Sequence, residues 1–80
     1  MHFQLDDAVR VIRLLEPERE VTGSSDPAPQ PRVGDRAVVV ADVGEGLYLL
    51  ESRTDDGITL WMAEFAEEEV ELIERAMEET

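Results

Sequence analysis

The side chains able to do chemistry in this sequence are almost all carboxylates. The chain has 20 Asp and Glu against seven arginines, one histidine, no cysteine and no lysine. Without thiols there is no disulfide and no thiolate zinc site. Without lysine there is no Schiff base. The one imidazole, His2, sits at a chain end, where order is least assured. A Ser-His-Asp or Cys-His site needs an ordered base. His2 with Asp6 or Asp7 makes only a weak transition-metal pairing. A carboxylate acid–base pair needs a concave pocket that raises one pKa, and 80 residues leave little room for one. The expectation is a protein that is not an enzyme and uses no cofactor.

Two acidic runs remain as binding candidates. Asp55-Asp56-Gly57, flanked by Thr54 and Thr59, offers oxygen ligands to a cation such as calcium. The EF-hand spacing is absent, and Asp-Asp-Gly is also an ordinary tight-turn signal. Asp55 and Asp56 are thus a weak metal candidate, and a cation-binding module is one reading of the chain. Glu67, Glu68, Glu69 and Glu71 form the second run. It reads as a solvated turn or as an acidic contact surface for a partner.

The charge sets the class of partner. Net charge is −13, which opposes direct binding to nucleic acid or to an anionic membrane. The imbalance grows along the chain. Residues 1–32 hold six acids and four arginines, and residues 67–80 hold seven acids and one arginine. The expected partner is a protein with a basic or mixed surface. The alternative is an acidic inhibitor or immunity protein that mimics nucleic acid and occludes a basic site on a nuclease or polymerase. High negative charge also simply keeps a small protein soluble. Residues 1–7 carry no basic stretch and no long apolar run. The longest apolar runs, 37–41 and 47–50, fall far short of the roughly 20 residues that span a bilayer. The expected location is the cytoplasm.

Tyr48 and Trp61 have two readings. They can pair across adjacent strands as core, or they can stand as interface anchors, since Trp and Tyr are common hot spots. A Trp61 facing the core needs a partner for its indole N–H. Pro27 and Pro29, within Pro27-Ala28-Pro29-Gln30-Pro31, form a stiff extended element that can be offered to a partner.

These candidates must be positioned by short strands. Residues 36–43 are dense in Val and Ala, as a buried strand requires. Gly44-Glu45-Gly46 supplies a turn. Residues 47–53 form a second strand, with Tyr48 and Leu50 on one face and Glu51 and Arg53 on the other. After the Asp55-Asp56-Gly57 turn, residues 58–65 form a third strand, completing an antiparallel meander. Residues 5–15 read two ways, as an alternating strand or as one helical face, and β-branched Val9, Val11 and Ile12 tilt them toward strand. Residues 70–79 also read two ways. The preferred reading is one turn at 66–69, a strand at 70–73 and a frayed or helical acidic tail over 74–80. Residues 16–32, with four prolines, are expected as one exposed loop inside a single domain of residues 1–80.

The order from Asp7-Ala8-Val9 through Gly34-Asp35, Tyr48-Leu49-Leu50-Glu51 and Asp56-Gly57 to Val70-Glu71-Leu72-Ile73 resembles the SH3-like barrels. It is most similar to an uncharacterised family of short bacterial SH3-like proteins. The resemblance implies an all-β fold: a small, partly open barrel of about five strands, with its long Pro-rich loop where SH3 domains carry a binding loop. It implies no catalytic residues. The Pro-rich loop and Glu-rich tail depart from the family pattern. With four aromatics in the chain, a groove reading Pro-rich peptides is not expected.

Overall fold

The computed structural model describes residues 3–76. Five strands carry the fold: β1 (Ala8–Val11), β2 (Arg36–Gly44), β3 (Leu47–Arg53), β4 (Thr59–Ala66) and β5 (Val70–Glu74). A 3₁₀ turn, Glu67–Glu69, joins β4 to β5. All strand pairs are antiparallel, and the sheet order is β4-β3-β2-β1-β5. The sheet is open, with β4 and β5 at its edges. The expected all-β class therefore holds, while closure of the sheet does not occur.

Local chemistry explains the meander. At the β2–β3 turn, Gly44, Glu45 and Gly46 all have positive φ, at 88°, 60° and 77°. Only glycine takes that region without penalty, so two of the three positions are glycine. The Asp42 carboxylate accepts the Gly44 N–H at 2.9 Å and fixes the turn. At the β3–β4 turn the Gly57 N–H donates to the Thr54 carbonyl at 2.9 Å, and the Thr54 N–H to that of Ile58 at 2.9 Å.

Residues 5–15 resolve as the strand reading. β1 is only four residues long, but it pairs with β2 on one side and β5 on the other. That double pairing gives the strand backbone partners on both sides. Residues 70–74 likewise form a strand, and residues 77–80 of the expected tail lie outside the described residues.

The connector between β1 and β2 is mostly exposed, as expected, but it is anchored to the sheet. Thr22 and Met62 form an isolated bridge, exchanging N–H···O bonds of 3.1 and 2.7 Å, and the Ser24 N–H reaches the Thr59 carbonyl at 3.0 Å. The connector thus covers the outer edge of β4, a backbone row that would otherwise invite another strand. A Cβ at Gly23 would lie 2.4 Å from the Leu60 carbonyl oxygen, so only glycine permits this approach. Pro27 and Pro29 are exposed as expected, while Pro31 is buried.

The core lies on the inner face, where Val9, Val11, Val39, Leu50, Trp61 and Phe65 are sealed from solvent. Among the described residues no helix is long and apolar enough to cross a membrane.

Candidate functional site

The aromatic candidates are core. Tyr48 and Trp61 are 2% and 1% exposed, which corrects their reading as surface anchors. They do not face each other, because Tyr48 opposes Phe65 and Trp61 opposes Ser52. Tyr48 meets Phe3 edge to face at 5.3 Å, and its hydroxyl accepts the Phe3 N–H at 3.2 Å. The Trp61 indole N–H donates to the Asp35 carboxylate at 3.1 Å. That carboxylate also accepts the Arg32 N–H at 2.9 Å, closing the turn into β2.

The acidic run is split by the 3₁₀ turn. Glu68 and Glu71 are exposed and Glu67 is half-buried, but Glu69 turns inward and is only 2% exposed. Glu69 is therefore removed from the candidate contact surface. Its carboxylate receives Arg19 in a two-pronged pair, Nη2 to Oε2 at 2.6 Å and Nη1 to Oε1 at 3.2 Å. The N–H groups of Leu15 and Ala66 complete its shell, each at 2.9 Å. Burial pushes the Glu69 carboxyl up, but the Arg19 hydrogen bonds, the two backbone donors and the Arg19 charge outweigh it and hold the group below the usual carboxylate range. With every acceptor position engaged, Glu69 has no lone pair to offer a substrate. It organises structure.

Arg19 does the rest of that organising. Its guanidinium also donates to the carbonyls of Glu64 and Glu16, at 2.8 and 3.1 Å, and lies 4.0 Å from the centroid of the Phe65 ring. Its backbone is clasped by the Gln30 side chain through two hydrogen bonds of 3.1 and 2.9 Å. One residue thus ties both limbs of the connector to the 3₁₀ turn. Two further buried carboxylates play similar parts. Asp7, fully buried, accepts the N–H groups of Gln4 and Ala76, each at 2.8 Å, and pairs with Arg75 at 3.1 Å. Glu51 accepts Arg53 at 2.6 Å and the Thr59 hydroxyl; these two hydrogen bonds hold its carboxyl below the usual range.

The cation candidates do not gather ligands. Asp55 and Asp56 sit exposed in the hairpin turn. Among the described residues no three acidic, thiol or imidazole groups converge as a metal site. His2 lies outside the described residues.

What the acidic run does border is a groove. Where the 3₁₀ turn enters β5, Phe3, Ile12, Val70 and Leu72 give apolar walls to an open groove of about 680 Å³, rimmed by Glu67, Glu68, Glu71 and Arg13. Glu71 also makes a loose ion pair with Arg10, at 3.5 Å on the surface. The sequence pointed to the carboxylates but not to the walls, because Phe3, Ile12 and Leu72 come from three separate segments. Arg19 was missed as well. Its one signal is a lone cation inside Glu16-Pro17-Glu18-Arg19-Glu20, where a guanidinium has many acids to choose from. No protein-family model, curated protein or solved structure matches this chain.

Proposed function

We propose that this chain is a small non-enzymatic protein-binding module whose partner presents a basic or mixed surface. The observation that carries this reading is the groove at the 3₁₀ turn. Apolar walls supply area whose burial stabilises a complex, and a rim where three glutamates outnumber Arg13 favours a cationic partner. Most other carboxyl groups are either solvated or, at Asp7, Glu51 and Glu69, fully engaged in holding the fold. The three-stranded meander, the return of β5 to β1 and the long connector between β1 and β2 support an SH3-like arrangement, as does the 3₁₀ turn ahead of β5. A cytoplasmic location fits this reading.

The test is a pull-down from lysate with the wild type and with a Glu68→Lys, Glu71→Gln variant, washed at low and at high salt. The reading expects a partner that the variant captures at least several-fold less well, since the groove rim is lost while the core is untouched. A partner held equally by both proteins sinks the groove as the contact. A nuclease or polymerase released entirely by salt favours the acidic-inhibitor reading instead, because its contacts would be screened charges.

A further inference from the structure

A second groove runs along the opposite face of the sheet. The outward residues of β3 and β4 pair as Leu47 with Ala66, Leu49 with Glu64 and Glu51 with Met62. The connector stands beside them, held on the edge of β4 by the Thr22–Met62 bridge. Between connector and strands lie two neighbouring hollows of about 460 and 380 Å³, which share Glu16 and Glu64 in their linings. Leu49 and Met62 floor the larger, with Glu16, Glu20 and Glu64 around it; Leu15 and Leu47 line the smaller.

The charge here is not balanced from within. Among the described residues Arg19 is the only cation lining either hollow, and its guanidinium is committed to Glu69, with the side chain only 5% exposed. The carboxylates of Glu16, Glu20 and Glu64, all on exposed residues, make none of the ion pairs found among the described residues. An apolar floor under unbalanced acids has two requirements, and one kind of side chain meets both. Lysine and arginine lay an alkyl stem on apolar surface while holding a cation at its rim. A bare metal ion would leave Leu49 and Met62 unused. A second copy of the chain, itself at −13, would set acid against acid.

We propose that this groove binds an extended, basic segment of a partner protein, with a Lys or Arg stem lying on Leu49 and Met62 and its cation among Glu16, Glu20 and Glu64. The proposal rests on the reading of the chain as a protein-binding module, but it names a different face from the groove at the 3₁₀ turn. Two faces on one small sheet let a partner wrap it, each face needing only modest affinity.

The two faces separate in one experiment. Uniformly ¹⁵N-labelled protein is titrated with a synthetic hexapeptide that alternates Lys and Leu. A second hexapeptide has the same composition in two blocks, three Lys followed by three Leu. The expected result is amide shifts at residues 16–22, Leu49, Met62 and Glu64, stronger for the alternating peptide. A Glu16→Gln, Glu20→Gln, Glu64→Gln variant should bind it about fivefold more weakly, a loss of about 1 kcal/mol shared among three exposed charges. The Arg19 contacts to Glu16 and Glu64 use backbone carbonyls, so this variant keeps them; a melting temperature no lower than that of the wild type verifies that. Shifts confined to residues 67–72 overturn the second groove while leaving the module reading in place. Equal affinity for both peptides, an unaffected triple variant, or no shifts at all also overturn it. The pull-down with the Glu68 and Glu71 variant tests the module reading separately.

Discussion

Leu50 and Glu69 are buried to nearly the same extent, at 0% and 2% exposure, yet they hold the molecule by opposite means. Leu50 belongs to the inner core, a set of Val, Leu, Trp and Phe side chains whose removal from water stabilises the sheet. Its contribution is non-directional and indifferent to pH. Glu69 belongs to the connector side, where a single carboxylate collects one guanidinium and two backbone N–H groups. Its contribution is directional, and it exists only while every partner is present. The core brings the strands together. The charge cluster decides where 24 residues of connector lie upon them.

The sharpest way to break the comparison is Glu69→Ala. It leaves the buried Arg19 guanidinium unpaired and orphans the N–H groups of Leu15 and Ala66. Removing one partner of a buried pair costs about 3–5 kcal/mol, a large share of the stability of a small domain, which lies toward the low end of roughly 5–15 kcal/mol. Urea unfolding should therefore show a protein at the margin of folding. An Arg19→Met, Glu69→Leu double variant usually rescues a buried pair, but here it should recover only part of the loss. Leucine cannot accept the two backbone N–H groups. Full recovery would show that those groups find water and that the ion pair alone mattered.

Leu50→Ala is the matching cut in the core. Its expected cost is about 2–4 kcal/mol, from lost transfer energy and the cavity left behind. The comparison lies in how the two losses respond to conditions. The Leu50→Ala loss should be the same at pH 7 and pH 4. The Glu69 loss should not. Glu69 has a lowered pKa in the fold, against an ordinary value of 4.5. Its stabilisation is therefore fully present above the unfolded pKa and is lost as pH falls through the folded one. Urea midpoints of the wild type and Glu69→Gln, measured from pH 7 down to pH 3, should converge toward the acid end. Using the difference between the two curves removes the opposing gain as the rest of the −13 charge is neutralised. A constant gap across that range would mean that Glu69 matters by shape and not by charge.

The same contrast explains what the sequence made legible. Core strands declare themselves, because alternation in residues 47–53 and 58–65 repeats every two positions and needs no knowledge of the partner strand. β3 was placed to the residue, β4 to within one residue, and the turn and strand at 67–74 nearly so. The polar interior does not declare itself. Glu69 differs from Glu68 in no local property; only the rotation of a 3₁₀ turn sends one inward. Arg19 meets it across 50 positions of sequence. Of the two readings open for Tyr48 and Trp61, the fold takes the core one, and the partner that satisfies Trp61 is Asp35, 26 residues away. Pattern reports burial of apolar groups well. It reports burial of charged ones only when their partners are near in sequence.

Asp35 offers a smaller cut that spans both regions. Its carboxylate serves the core through Trp61 and the connector through the Arg32 N–H. Asp35→Ala should cost about 1–3 kcal/mol, the usual penalty for a buried donor left without an acceptor. Trp61 fluorescence should also shift as water or disorder reaches the indole. Asp35→Asn keeps a carbonyl acceptor and should recover most of the stability at neutral pH. If alanine and asparagine are equally damaging, the charge of Asp35 is what the turn requires.

The smallest expected effect falls on the acids that hold nothing. Glu16→Gln and Glu20→Gln remove exposed carboxylates that make none of the ion pairs found among the described residues. Each should change stability by no more than about 0.5 kcal/mol, and the direction should be toward greater stability, because a chain at −13 repels itself. Thermal melts at low ionic strength test this, with the gain fading as salt screens the charge. A gain here has a consequence for the whole surface. Carboxylates that cost the fold energy while Asp7, Glu51 and Glu69 hold it together form a separate population. Their charge is then explained by what they meet outside the molecule. A marked loss of stability instead would place Glu16 and Glu20 with Glu69, as parts of the connector's anchorage, and the second groove would lose its claim to be a surface kept for a partner.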